Sequence, residues 1–106
     1  MAKNLLVYVG REIAGTLTQL SSHEYEFAYN ASYCDGRHIP ISPTLPITTE
    51  VFRSAHLFPF FANLLPEGAN RRTICRHLHI DEHDSFSLLA SFSGKDFIGN
   101  VSVQAL

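Results

Sequence analysis

The first thirty residues set short apolar runs between turn signals, and runs of this length are strands before they are helices. Leu5-Leu6-Val7-Tyr8-Val9 is rich in strand formers. Gly10-Arg11-Glu12 supplies a turn, and Ile13 to Leu20 follows with apolar positions 13, 15 and 17 opposite polar 16 and 18. Ser21 and Ser22 make a second turn. Glu24 to Tyr29 then alternates acid with aromatic or small apolar residues at period two, as a half-buried strand does. Two such runs across a short Gly-containing turn predict a hairpin, and the third extends it into an antiparallel meander.

The rest of the chain reads differently. Asn30 to Arg37 is a loop with Asp35-Gly36 as its turn signal. Ile39 to Ile47 contains Pro40, Pro43 and Pro46; proline donates nothing to a sheet ladder, so this is an edge strand or an extended lead-in. Residues 57–65 predict a helix with Pro59 in its first turn, stopped by Pro66, with Gly68 in the exit turn. Residues 70–78 form a second helical pattern, with Ile74 and Leu78 spaced i, i+4. Asp84 is the N-cap of a third helix over 85–92, with Phe86, Leu89 and Ala90 as its buried stripe. Gly94 ends it, and residues 97–103 alternate as a closing strand. The expected fold is α+β: a small antiparallel sheet carrying three short helices, in a single domain over residues 1–106.

A chain of 106 residues supports one such core without disulfides or metal, and eight Phe against no Trp make that core largely phenylalanine. Eight basic residues face ten acidic ones, and the isoelectric point is about 6.3. Only Arg71, Arg72 and Arg76 cluster, which argues against direct binding to nucleic acid or to an anionic membrane. The N-terminal apolar run is too short for a signal-peptide core, no segment approaches a membrane span, and Cys34 and Cys75 lack CxxC spacing. A cytoplasmic location is expected.

Catalytic signals are sparse. No Gly-rich phosphate loop or catalytic-aspartate motif is recognisable, and Gly94-Lys95-Asp96 leads towards a strand rather than a helix N-terminus. Cys75, beside Ile74 and Leu78, reads as a buried thiol rather than a nucleophile. His77, His79, Asp81 and His83 are the densest group of metal-ligand types, yet an H-x-H pair at a helix end splays its rings, and a polar inter-helix turn is the expected reading. Hence no enzyme activity, no cofactor and no metal are expected. Phe58 to Leu65 holds more large apolar groups than one helical stripe can turn inward. Either that helix is buried on most of its circumference, or the excess forms an exposed patch of the kind that marks an interface.

Phe60-Phe61-Ala62-Asn63-Leu64-Leu65-Pro66-Glu67-Gly68-Ala69-Asn70-Arg71 resembles the FFxNLLPEGxxR stretch of the HipA N-terminal domain family. Val9 to Leu17 is similar to that family's opening hairpin with its G-x-L ending. Phe27, Tyr29 and Tyr33 match FxY…Y, Ile41 to Pro46 matches lSlsLP, Asp84 to Leu89 matches DxFxLL, and Gly94 to Val101 resembles GxDxxGAV. The likeness runs in order along nearly the whole chain. Ser93 is an extra residue before Gly94, Asn100 stands where relatives usually have Ala, and Ala69 stands where some stand-alone relatives carry a large aromatic.

In HipA-like proteins this domain precedes a serine/threonine kinase domain and packs against it. The resemblance therefore implies a HipS-like antitoxin or accessory protein that binds and modulates a HipT-like serine/threonine kinase toxin. A HipB-like DNA-binding protein is a further member of such complexes. The alternatives are a non-inhibitory scaffold, the truncated N-terminal domain of a HipA-type kinase, or, further off, a small metal-dependent enzyme. The expected kinase-binding surface is Phe58, Leu65, Pro66, Glu67, Gly68, Ala69 and Arg71, facing the kinase N-lobe. Phe58 or Leu65 is its expected apolar anchor and Arg71 its charged contact.

Overall fold

The computed structural model describes residues 3–95 and 100–105. Strands β1 (Lys3–Val9), β2 (Glu12–Ser21) and β3 (Glu24–Tyr29) form the meander. Short β4 (Phe52–Ser54) and the closing strand β5 (Val101–Ala105) complete a five-stranded sheet of order β4-β3-β2-β1-β5, antiparallel at every pairing. Three helices follow β4 in sequence: α1 (Pro59–Ala62), α2 (Gly68–Leu78) and α3 (Ser85–Ser91). Asp96, Phe97, Ile98 and Gly99 of the GxDxxGAV segment, and the first part of the expected 97–103 strand, lie outside the described residues.

Alternation decides which sheet face is covered. Leu5 and Val7 on β1, Leu17 on β2, Tyr25, Phe27 and Tyr29 on β3, and Val101 and Val103 on β5 are all buried. They share one cluster with Phe58, Phe61 and Leu65 from the α1 region and Phe86, Leu88 and Leu89 from α3. Phe61 is central: fully buried, with Phe27 at 5.6 Å and Phe60 at 5.1 Å between ring centroids. The buried stripe of α3 is Phe86, Leu88 and Leu89, with Ala90 only half-buried, and on α2 it is Cys75 that is buried while Leu78 is exposed.

Strict alternation fails once in the meander. Val7 pairs with Gly15 but Tyr8 pairs with Ile13, so Ala14 is an extra residue on β2 and is itself buried, whereas Ile13 is not. Next to this bulge β2 runs close to β3, at Gly15. A Cβ there would lie 2.3 Å from the Ala28 carbonyl oxygen and 2.8 Å from Cζ of Phe27, which only glycine avoids.

The Pro-rich segment 39–47 forms no strand and has a single isolated bridge, Ser42 to Leu45; the edge strand is Phe52–Ser54 instead. Prolines withhold the ladder donors, and tyrosine hydroxyls take over part of that role. Tyr29 Oη accepts from the Ile41 N–H at 3.1 Å and donates to the Leu45 carbonyl, while Tyr33 Oη donates to the Ile39 carbonyl at 3.1 Å. Tyr33 sits on a 3₁₀ turn, Ala31–Cys34, within the expected 30–37 loop.

The segment around Gly94 closes the β5 edge. Gly94 N–H donates to the Val103 carbonyl at 2.9 Å, and Ala105 N–H donates to Ser93 Oγ at 2.9 Å. Ser93 thus caps an edge amide. Asn100 has a φ of 68°, a left-handed conformation that Asn tolerates better than Ala.

Candidate protein-interaction surface

Pro59 opens α1 at a position where its missing N–H is no loss, but the helix lasts four residues rather than nine. The chain tightens into 3₁₀-type turns, Leu64 N–H to the Phe61 carbonyl and Leu65 N–H to the Ala62 carbonyl, until Pro66 stops it. Glu67 is extended, Gly68 takes a φ of 61°, and α2 begins. Nothing lies within 4 Å of where a Cβ on Gly68 would be, so glycine is there for its backbone conformation and not for space.

This geometry divides the expected contact residues in two. Glu67, Gly68, Ala69 and Asn70 are exposed, with Pro66 half-buried at their edge. Phe58 and Leu65 are core residues, 7% and 5% exposed, so neither is available as an apolar anchor. The α1 region is buried on most of its circumference because Leu57, Phe60 and Leu64 also pack against the core. Arg71 is likewise engaged. Its Nε donates to the Glu82 carbonyl at 2.8 Å and its Nη2 to Ser85 Oγ at 2.9 Å, tying the start of α2 to the start of α3. Among the described residues Arg71 forms no ion pair with Glu67. What this surface exposes is the short ridge 67–70, in which Glu67 and Asn70 are the polar side chains.

The other candidates resolve through local structure. His79 occupies the left-handed position after α2, φ 58°, with Ile80 N–H bonded to the Cys75 carbonyl and His79 N–H to the Arg76 carbonyl. That is a Schellman cap, usually glycine. The His77–His83 group is therefore a helix end and turn, and no three His, Cys, Asp or Glu side chains among the described residues could hold a metal ion. Asp84 caps α3 as its sequence position predicts, accepting from the Ser87 N–H at 3.1 Å and the Ser87 hydroxyl at 2.6 Å. Cys34 and Cys75 are free thiols, Cys75 buried. Among the described residues no helix is long and apolar enough to cross a membrane.

The sequence profile of the HipA N-terminal domain matches residues 5–104. The chain belongs to that family. A solved structure described as the N-terminal domain of HipA toxin superposes with a TM-score of 0.71 at 32% identity, covering 98% of this chain and 92% of that one. A protein of Haemophilus influenzae is 36% identical over 98 residues, which are 92% of this chain and 88% of the relative. A Sinorhizobium fredii protein named as a kinase, Y4mE, is 32% identical over 91 residues, but this chain spans only 22% of its length. The stretch similar to this chain thus makes up most of one relative and about a fifth of the other.

Proposed function

We propose that this HipA N-terminal domain works as a HipS-like antitoxin or accessory subunit, binding a separate HipT-like serine/threonine kinase. The observation that carries the reading is the difference in length between its relatives. The stretch similar to this chain makes up 88% of one and 22% of another that is named as a kinase. An interface that is intramolecular in a fused chain has to supply its own affinity when the domain is separate.

The ridge from Glu67 to Asn70 is the contact surface best suited to this. Residues 67–70 are exposed, the proline stop and the glycine turn at 66 and 68 set the backbone, and it therefore loses little freedom on docking. Phe58 and Leu65 belong to the core, and Arg71 ties the start of α2 to Glu82 and Ser85. Ala69 and Asn70 are small, which suits control through the kinase N-lobe better than a plug in the active site.

Co-expression with a HipT-like kinase, followed by gel filtration at micromolar concentration, tests the association; separate elution of the two proteins overturns it. Glu67→Ala with Asn70→Ala is expected to weaken binding at least tenfold, about 1.4 kcal/mol, in a calorimetric titration. Unchanged affinity places the interface elsewhere. Ala69→Trp tests how near the ridge comes to the active site: if kinase inhibition does not strengthen, the ridge does not approach it.

A further inference from the structure

Away from that ridge, the connection after β3 carries a side-chain cluster of its own. The His38 ring lies against Tyr33, with centroids 4.1 Å apart and planes 24° from parallel. Its Nδ1 is 2.8 Å from Oδ1 of Asp35, and its Nε2 is 2.5 Å from Oε2 of Glu12 at the start of β2. Asp35 also accepts from the Arg37 N–H at 2.9 Å, and the exposed Arg37 guanidinium approaches it at 3.9 Å. Tyr33 has its hydroxyl committed to the Ile39 carbonyl. Among the described residues, Glu12, Asp35, Tyr33 and, through Asp35, Arg37 are the ionisable groups around this ring.

An ionised carboxylate only accepts hydrogen bonds, and a neutral imidazole has one N–H. Both ring nitrogens of His38 face carboxylate oxygens, so only the imidazolium donates to both; the neutral ring sets a lone pair against one of them. We propose that His38 is a pH-sensitive latch. Protonated, it ties the turn 35–38 to the β1–β2 hairpin; deprotonated, it releases that turn, while Tyr33 and Tyr29 still hold Ile39 and Ile41. The turn leads directly into Ile39, whose side chain is 79% exposed and whose carbonyl stays on Tyr33.

Electrostatics set the window. Partial burial pushes the His38 pKa down, but the hydrogen bonds and charges of Glu12 and Asp35 outweigh it and hold the ring above the ordinary 6.5. A raised histidine stabilises the latched form below its ordinary pKa and loses that contribution as pH rises through the raised value. Asp35 is held below the ordinary carboxyl value, first by the Arg37 N–H and then by His38. Its contribution is present above the ordinary value and is lost as pH falls through the lowered one. The latch is closed between these two limits.

An NMR titration of the intact chain from about pH 5 to about pH 9, following the His38 ring and the amides of Gly36 to His38, tests this. The ring is expected to titrate above 6.5, and the amides to lose order across the same midpoint. Glu12→Gln and Asp35→Asn each lower that midpoint, and His38→Phe gives a loose turn at every pH. Glu12 is largely exposed, so its substitution leaves the core in place. Titration at or below 6.5, or amides whose order does not change across the midpoint, overturns the latch.

Discussion

Two connections in this domain run largely without regular structure, and they are fixed in opposite ways. Residues 30–47 bend back over the sheet and are held from below. Tyr29 bonds the Ile41 N–H and the Leu45 carbonyl, and Tyr33 bonds the Ile39 carbonyl. Residues 63–70 are set mainly by their own backbone: 3₁₀-type turns, a proline stop and a left-handed glycine, with Arg71 tying down the helix that follows. The first connection is joined to the core by groups distant in sequence. The second obeys neighbour-by-neighbour rules: it turns Leu65 into the core and leaves residues 67–70 exposed. A domain that has to present a surface does so most economically with the second kind.

Substitutions at the two connections should therefore differ in size. The largest effect belongs beneath the first. Gly15 is the Cα partner of Tyr29, and a side chain there meets the Ala28 carbonyl and the Phe27 ring. Gly15→Val is expected to cost about 3 kcal/mol or more, read as a fall in the urea midpoint or as loss of cooperative unfolding. An unchanged midpoint would mean that β2 does not approach β3 as described. Next comes Tyr29→Phe. It leaves a buried carbonyl and an amide without their hydroxyl partner, at a cost of about 2 kcal/mol. Burial raises the Tyr29 pKa, which keeps the hydroxyl protonated and able to donate to Leu45. Hydrogen exchange should show lost protection at the Ile41 amide with none lost in α2; a loss spread evenly over both regions would mean that the two connections are not held differently.

The same contrast explains what the sequence discloses. Elements with local causes are legible: the meander from its period-two runs, α3 from Asp84, the turn between α1 and α2 from Pro66 and Gly68. Phe52–Ser54 is not, because three residues become a strand only by pairing with β3. The bulge at Ala14 hides for the same reason, since its register is set by β1. In the candidate surface the exposed ridge at 67–70 is legible from its punctuation. The burial of Phe58 and Leu65 is not, because a pattern of apolar residues does not reveal how much sheet lies opposite. Arg71 reads as a charged contact, but its partners stand 11 and 14 residues away. His38 and Glu12 are 26 apart, and nothing in either neighbourhood announces the other.

Arg71 tests the second connection from its long-range hydrogen bonds. Arg71→Ala removes two hydrogen bonds in a half-exposed setting, and a cost of about 1 kcal/mol is expected. Arg71→Lys should recover little, because a single ammonium cannot reproduce the fork that reaches both Glu82 and Ser85. Chemical denaturation measures both variants. A cost near that of Tyr29→Phe would place this connection with the first in its dependence on distant groups.

The smallest effect should be a gain, and it comes from a purely local rule. His79 adopts a left-handed conformation to close α2, and a residue with a Cβ pays roughly 1 kcal/mol there. Glycine removes that strain but adds freedom to the unfolded chain, so the two changes partly cancel. His79→Gly is expected to stabilise by about 0.5 kcal/mol, a rise of roughly 3 °C in the thermal midpoint for a domain of this size. His79→Ala keeps the strained backbone and should give no such gain. The pair also tests the histidine cluster. If His79 were a metal ligand, both variants would destabilise, and a chelator would reproduce the loss in the wild-type chain. Stabilisation by glycine alone, indifferent to chelator, identifies His79 as a helix end and leaves α2 governed by the same local rules as the ridge before it.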